Sequence, residues 1–256
     1  MNLLKKVRMF NLSTAALRTI GLILAAAGAV GLLIQYRVLG IGSITAGELL
    51  MSVETDPSLM GYVSLSMICQ IMEACAVPLF AFLLVEDAKC MEAIGRKLLA
   101  LLGVAVVCQL PYNVLTGGNL WSIREMNPMF ALALSLVMLS FFRRFPEKKG
   151  SHRAIKAIAL LFAFLWSNFL GVAHGPACVI LTANLWALRG RPNLQTFLGI
   201  TVTIICSLFN IFYITAPAAF LLLHFYDGEQ GVDNKQISCL IYPVCLLVFA
   251  LLSQCF

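Results

Sequence analysis

Apolar residues in this chain run in long unbroken blocks separated by short polar connections. Eight blocks, at 17–35, 61–85, 98–115, 127–142, 154–170, 171–188, 194–214 and 237–255, approach or reach the 17–25 residues a membrane-spanning helix requires. The fourth and fifth are short. The fifth and sixth are separated by almost nothing, which predicts a tight hairpin around Gly171. The seventh predicts a helix that runs on, bent at Pro217, as far as Phe225. The longest connection, 36–60, holds Leu49, Leu50 and Met51 among Gly, Ser, Glu and Pro, the pattern of a short interfacial segment. The expected fold is an all-α polytopic bundle of about eight helices, a single transmembrane domain over 1–256, with no internal repeat.

Composition agrees, at 61% hydrophobic and 12% charged. Soluble domains carry about twice that share of charge, so this chain needs lipid as its solvent. The net charge of +6 follows the connections, which removes nucleic acid as a partner. With the N-terminus inside, the inner segments hold Lys5, Lys6, Arg8, Lys89, Arg96, Lys97, a cluster from Arg143 to Lys156, Arg189 and Arg191. The outer segments hold Arg37, Arg124 and Lys235 against seven acids, Asp227 and Glu229 among them. Retention of basic loops in the cytoplasm then predicts both termini inside. Ala27-Gly28-Ala29 imitates a signal-peptide cleavage site, but the apolar run continues to Ile34, as expected for an uncleaved first helix.

Polar groups inside the membrane are costly and become candidates for function. Glu73, in the middle of the second block and near Gln70, must be protonated or paired. His174 lies near the outer end of the sixth block, close to Asn168. Gln109, Asn127, His174 and Asn210 fall in the outer half, where they either line one outward-opening cavity or serve as ordinary polar helix ends. A hydrogen bond to a neighbouring helix is the structural alternative for each. The nine cysteines are odd in number and contain no CxxC, so neither a disulfide framework nor a metal site is expected. Walker, GxGxxG, HExxH and GxSxG motifs are absent. The basic loop at 143–156 either receives the phosphates of a nucleotide-like donor or only fixes topology at a lipid surface.

Several stretches resemble the TraX family, membrane proteins named for one that N-acetylates conjugative pilin. The run Val77-Pro78-Leu79-Phe80-Ala81-Phe82-Leu83-Leu84-Val85-Glu86 is similar to the family's "FPLFAFLLVEG". Pro111-Tyr112 resembles its Pro-Phe helix end, and Asn127-Pro128-Met129-Phe130 its "N-x-x-F" helix start. Phe225 to Gly231 with Asn234-Lys235 resembles "YNGxxG…NK", and Tyr242-Pro243-Val244-Cys245-Leu246 resembles "YPxHL". The resemblance implies a multi-pass acyltransferase in a bacterial cytoplasmic membrane. It would pass acyl groups from acetyl-CoA or another acyl-CoA, a donor substrate rather than a resident cofactor, to an outward-facing acceptor. That acceptor would be a membrane or secreted protein or a glycan. Arg143, Arg144, Lys148 and Lys149 are the candidates to hold the donor.

The polar centre departs from that pattern. Gly28 and Ala29 stand where the family has an Asp-His pair, Cys245 replaces the closing histidine, and Ala74 replaces an arginine. No histidine occurs before His152, so a general base of the expected kind is missing from the first helix. Two outcomes follow: Glu73, His174 or Cys245 has taken over the chemistry, or the scaffold is a catalytically silent membrane subunit or small-molecule or lipid binder. The second predicts acetyl-CoA turnover no faster than that of an inactive control.

Overall fold

The computed structural model describes residues 12–41, 47, 51, 54, 56–89, 94–117, 125–145, 150–231 and 235–255, the side chains of 235–239 excepted. Among these residues it is an all-α membrane bundle without strands. Its α-helices are α1 (Thr14–Leu33), α2 (Met60–Lys89), α3 (Ile94–Gly117), α4 (Met129–Arg144), α5 (Gly150–Phe169), α6 (Gly175–Ala187), α7 (Pro192–Phe209), α8 (Ala219–His224) and α9 (Lys235–Leu252). Four segments are long and apolar enough to cross a bilayer: Thr14–Val38, Pro57–Lys89, Ile94–Gly117 and Pro192–Phe209. The shorter apolar helices are Gly175–Ala187, Ile211–His224 and Leu240–Leu252. Leu49 and Leu50, expected at the interface, lie outside the described residues.

Helix α2 is the axis of the bundle, buried along most of its length and packed on α1, α6 and the 211–218 segment. Lipid offers apolar side chains no reason to leave it, so helices associate in a membrane through close packing and hydrogen bonds. Helix α1 supplies the first with small residues: Gly31 faces the Cβ of Cys69, where an added methyl would come within 2.9 Å. Ser66 donates to the Gly31 carbonyl (3.1 Å), and Gln70 to Gln35 (3.2 Å), both buried. At the start of α4, fully buried Asn127 accepts from the Met129 amide (3.0 Å) and donates to Ala105 O (2.8 Å) and Gln109 Oε1 (2.9 Å). Gln109 and Asn127 thus cap a helix and brace its neighbour, and only His174 and Asn210 of the expected outer-half set line a cavity there.

The last third of the chain takes a path the hydropathy does not show. Helix α7 ends at Asn210, whose side chain accepts from the Phe212 amide (3.1 Å). The chain then doubles back as a 3₁₀ segment, Ile211–Ala218, and α8. At about 2.0 Å per residue, a 3₁₀ segment covers depth with fewer residues than an α-helix. Phe220 fills the space left by Gly199 on α7, so the two strokes lie close together. The turn that follows reaches the beginning of α1: Leu12 donates to Phe225 O (3.0 Å), Thr14 to Glu229 O (2.9 Å) and Ala15 to Gln230 O (3.1 Å). Residues 225–231 therefore sit with residue 12, at the end of the bundle that carries Arg18, Asp87 and Lys97. The charge count had placed them at the opposite end. Helix α9 starts there, with Tyr242 beside Leu22 and Val104 and with Leu246 and Ala250 in a cluster with Leu32 and Leu115. Among the described residues α9 thus ends toward the opposite end of the bundle from Leu12, and the extra stroke at 211–224 corrects the expectation that puts the two on one side.

Candidate functional site

Glu73 and His174, 101 residues apart in the chain, meet in the middle of the bundle. The Nε2 of His174 lies 3.7 Å from Oε1 of Glu73, and both side chains are largely buried. The Nδ1 of His174 is hydrogen-bonded to the hydroxyl of Tyr213 at 2.6 Å. Carboxylate, imidazole and phenol thus form one chain across α2, the start of α6 and the 3₁₀ segment. The first contact is too long for a hydrogen bond, so carboxylate and imidazole lie in near contact without one.

Local structure explains how each group is placed. His174 precedes α6 with φ +56°, a left-handed backbone that a residue with a side chain adopts at a cost of about 1–3 kcal/mol. The turn before it is held from outside: Met126 donates to Gly171 O (3.0 Å), and Ala173 donates to Met126 O (2.8 Å). Met126 adjoins Asn127, so the polar brace between α3 and α4 also fixes the histidine. Tyr213 enters because α7 stops at Asn210 and the chain reverses. Glu73 is admitted by Gly28: a Cβ built there would stand 2.7 Å from the Glu73 Cβ and closer still to its carboxyl. Gly28 of α1 is therefore the floor under the carboxylate of α2.

That contact yields a test. Gly28→Ala should destabilise the protein by about 1–3 kcal/mol, the usual penalty of overpacking, because α1 and α2 must separate. Thermal unfolding in detergent measures it, and an unchanged midpoint would refute the close packing.

Two cavities meet at the pair, and a third adjoins one of them. A cavity of about 520 Å³ is lined by Gln70, Glu73, Asn168, His174, Asn210 and Tyr213 and by apolar residues of α5, α6 and α7. A neck of about 40 Å³ shares Glu73 and His174 with it and is otherwise walled by Phe80, Met129, Leu132, Cys178 and Tyr242, among others. A third cavity, about 250 Å³, shares Phe80, Met129, Leu132 and Tyr242 with the neck and reaches Arg18, Asp87 and Lys97. Asp87 is paired there with both cations. The chain of shared walls runs from the basic end of the bundle to the buried pair and on into the large cavity.

Of the residues the sequence nominates, Glu73 and His174 converge. Cys245 is half-buried on α9 and on none of these three walls; the helix contributes Tyr242 instead. Arg143 lines a separate cavity at the basic end, Arg144 is exposed at the end of α4, and Lys148 and Lys149 lie outside the described residues. Tyr213 and Gly28 were not singled out as parts of a site. A histidine beside a Gly-Pro helix start, and glycines on α1 facing an intramembrane acid, are the signals that point to them. Among the described residues no group of three His, Cys, Asp or Glu could hold a metal ion.

No curated protein and no solved structure matches the chain. The family model described as TraX protein matches residues 47–253, from before α2 to the end of α9, which includes Glu73, His174 and Tyr213 but not α1; the chain belongs to the TraX family.

Proposed function

We propose that this protein is a membrane acyltransferase that moves a short acyl group from a cytoplasmic thioester to an amine or hydroxyl on the other side. His174 is the base and Glu73 is the charge that stabilises it once protonated. The observation that carries this reading is the Glu73–His174 pair on the common wall of two cavities, one of them continued through a shared wall toward the basic end. Family membership supplies the acetyltransferase class, with acetyl-CoA or another acyl-CoA as donor. Basic residues at the Arg18, Lys97 and Arg143 end favour that end as the cytoplasmic one in a bacterial inner membrane. The acceptor, on a membrane or secreted protein or a glycan, enters the 520 Å³ cavity.

In this scheme Nδ1–H of His174 donates to the Tyr213 oxygen, leaving the lone pair on Nε2 for the acceptor. The acceptor N–H or O–H loses its proton to Nε2 as its heteroatom attacks the thioester carbon. The carbon–sulfur bond breaks, and the proton passes from Nε2 to the departing thiolate. Glu73, 3.7 Å away, stabilises the transient imidazolium, an effect strengthened where water is excluded. The test is release of free CoA thiol from acetyl-CoA by the purified protein, with peptide amines and sugar hydroxyls as acceptors. The expected result is release above that of the His174→Ala variant; equal rates across the panel would reject transfer and favour the silent scaffold.

A further inference from the structure

A second cavity of about 520 Å³ opens at the basic end, and every charged residue on its wall is a cation. Lys89 ends α2, Arg143 lies in the last turn of α4, Lys156 in the second turn of α5, and Arg189 follows α6. Phe142, Trp186 and Ala187 complete the wall.

These cations are held in place. Arg143 donates to the Ala88 carbonyl at 3.2 Å. The guanidinium of Arg189 stacks on Trp186, 3.9 Å from the ring centroid, and the ammonium of Lys156 lies 5.7 Å over Phe142. Lys89 is paired with Glu86 one turn earlier. The ends of α2, α4 and α6 point their carbonyls the same way, each equivalent to about half a negative charge. Arg143, Lys156 and Arg189, with Lys89 paired to Glu86, face those carbonyl ends across the cavity. Guanidinium groups match phosphate oxygens in pairs, and ammonium groups add point charges. Four such groups around one cavity suit an anion with more than one phosphate.

We propose that this cup binds the phosphates of a multiply phosphorylated ligand. Two sources offer that chemistry: the nucleotide head of a CoA thioester, and the headgroup of an anionic lipid such as cardiolipin. The first rests on the acyl-transfer reading and the second does not. Asp87 on the 250 Å³ cavity and Lys89 on the cup share the last turn of α2. Residues two apart on a helix face opposite ways, so a head in the cup would lie at the depth of that cavity's Asp87 end, across α2 from it.

The full chain in detergent is titrated with adenosine 3′,5′-bisphosphate and with CoA. In parallel it is placed in phosphatidylcholine nanodiscs with and without cardiolipin, and thermal stabilisation is read. At least one arm should show binding that weakens about tenfold in Lys156→Gln/Arg189→Gln, and about threefold in Arg189→Gln alone, which is about 0.7 kcal/mol per contact, within the net range of a hydrogen bond. Arg189 is exposed at a turn, so the single variant is expected to fold. Binding should persist in Lys156→Arg/Arg189→Lys. Response to the bisphosphate identifies the donor, and response to cardiolipin alone identifies the lipid. No response in either arm, or equal affinity in Arg189→Gln and parent, overturns the proposal. Glu73→Gln should bind as the parent does, so loss of the cup and loss of the transfer chemistry are read separately.

Discussion

Glu73→Gln and His174→Gln are each expected to lower acyl transfer by about 100-fold or more while leaving the protein folded. A positioned base contributes on the order of 10²–10⁴ to a rate, and the carboxylate acts only through the imidazole it stabilises. The two losses should therefore not add: the double variant should resemble the worse single one, as groups that act as a unit do. Cys245→Ala should transfer at the parental rate, because Cys245 is on none of the walls around the pair. Moving the carboxylate makes a stricter test. Gly28 lies against the Glu73 carboxyl, so Gly28→Asp combined with Glu73→Ala returns an acid to nearly the same volume from the opposite helix. That double variant should transfer faster than Glu73→Ala alone, whereas Gly28→Asp alone should be crowded and less stable. Initial rates of CoA release and unfolding midpoints measured on the same preparations decide it. Additive losses in the double Gln variant would show that the two residues do not work together.

The second large effect is all-or-none. On a background without native cysteines, a cysteine at Gln230 is expected to be modified from the same side as one at Gly150, and from the opposite side to one at Ser58 or Gly117. All four positions are exposed. Eight crossings would put 230 with 58. The extra stroke at 211–224 and the backbone bonds from Leu12, Thr14 and Ala15 to residues 225–230 put it with 150. An impermeant maleimide applied to intact and then permeabilised cells reads this directly. Labelling of 230 together with 58 in intact cells would refute the doubled-back path.

Both the successes and the gaps of sequence reasoning have physical causes. The helices from α1 to α7 are legible because bilayer thickness demands long apolar runs and the connections between them are polar. The reversal at Asn210 is not, since Ile211 to Leu223 is as apolar as the helix before it, and hydropathy carries no direction. The acidic residues 227–229 then satisfied the charge rule on the wrong side. An intramembrane acid and histidine attract notice because burying them is expensive. Their partnership spans a hundred residues and has no local signature. Tyr213 sits in an apolar stretch and looks like any aromatic near an interface. Gly28 is the most instructive: as a residue it reads as chemistry lost, and as a surface it reads as room made for a carboxylate from α2.

The bonds between residues 12–15 and 225–230 also set an order on how the molecule is made. A membrane protein emerges from its N-terminus, so α1 enters the bilayer while some two hundred residues remain to be synthesised. Its first amides, those of Leu12, Thr14 and Ala15, obtain their partners only when the 225–230 turn arrives. Contacts this distant in sequence close slowly, because the intervening chain must be confined first. Until then the first helix is held by its small-residue face against α2 and by its packing on α3, and the lock between beginning and end is the last to shut. A chain stopped before residue 225 would keep α1 and α2 together yet leave the start of α1 open, exposing it to proteolysis that the finished protein resists.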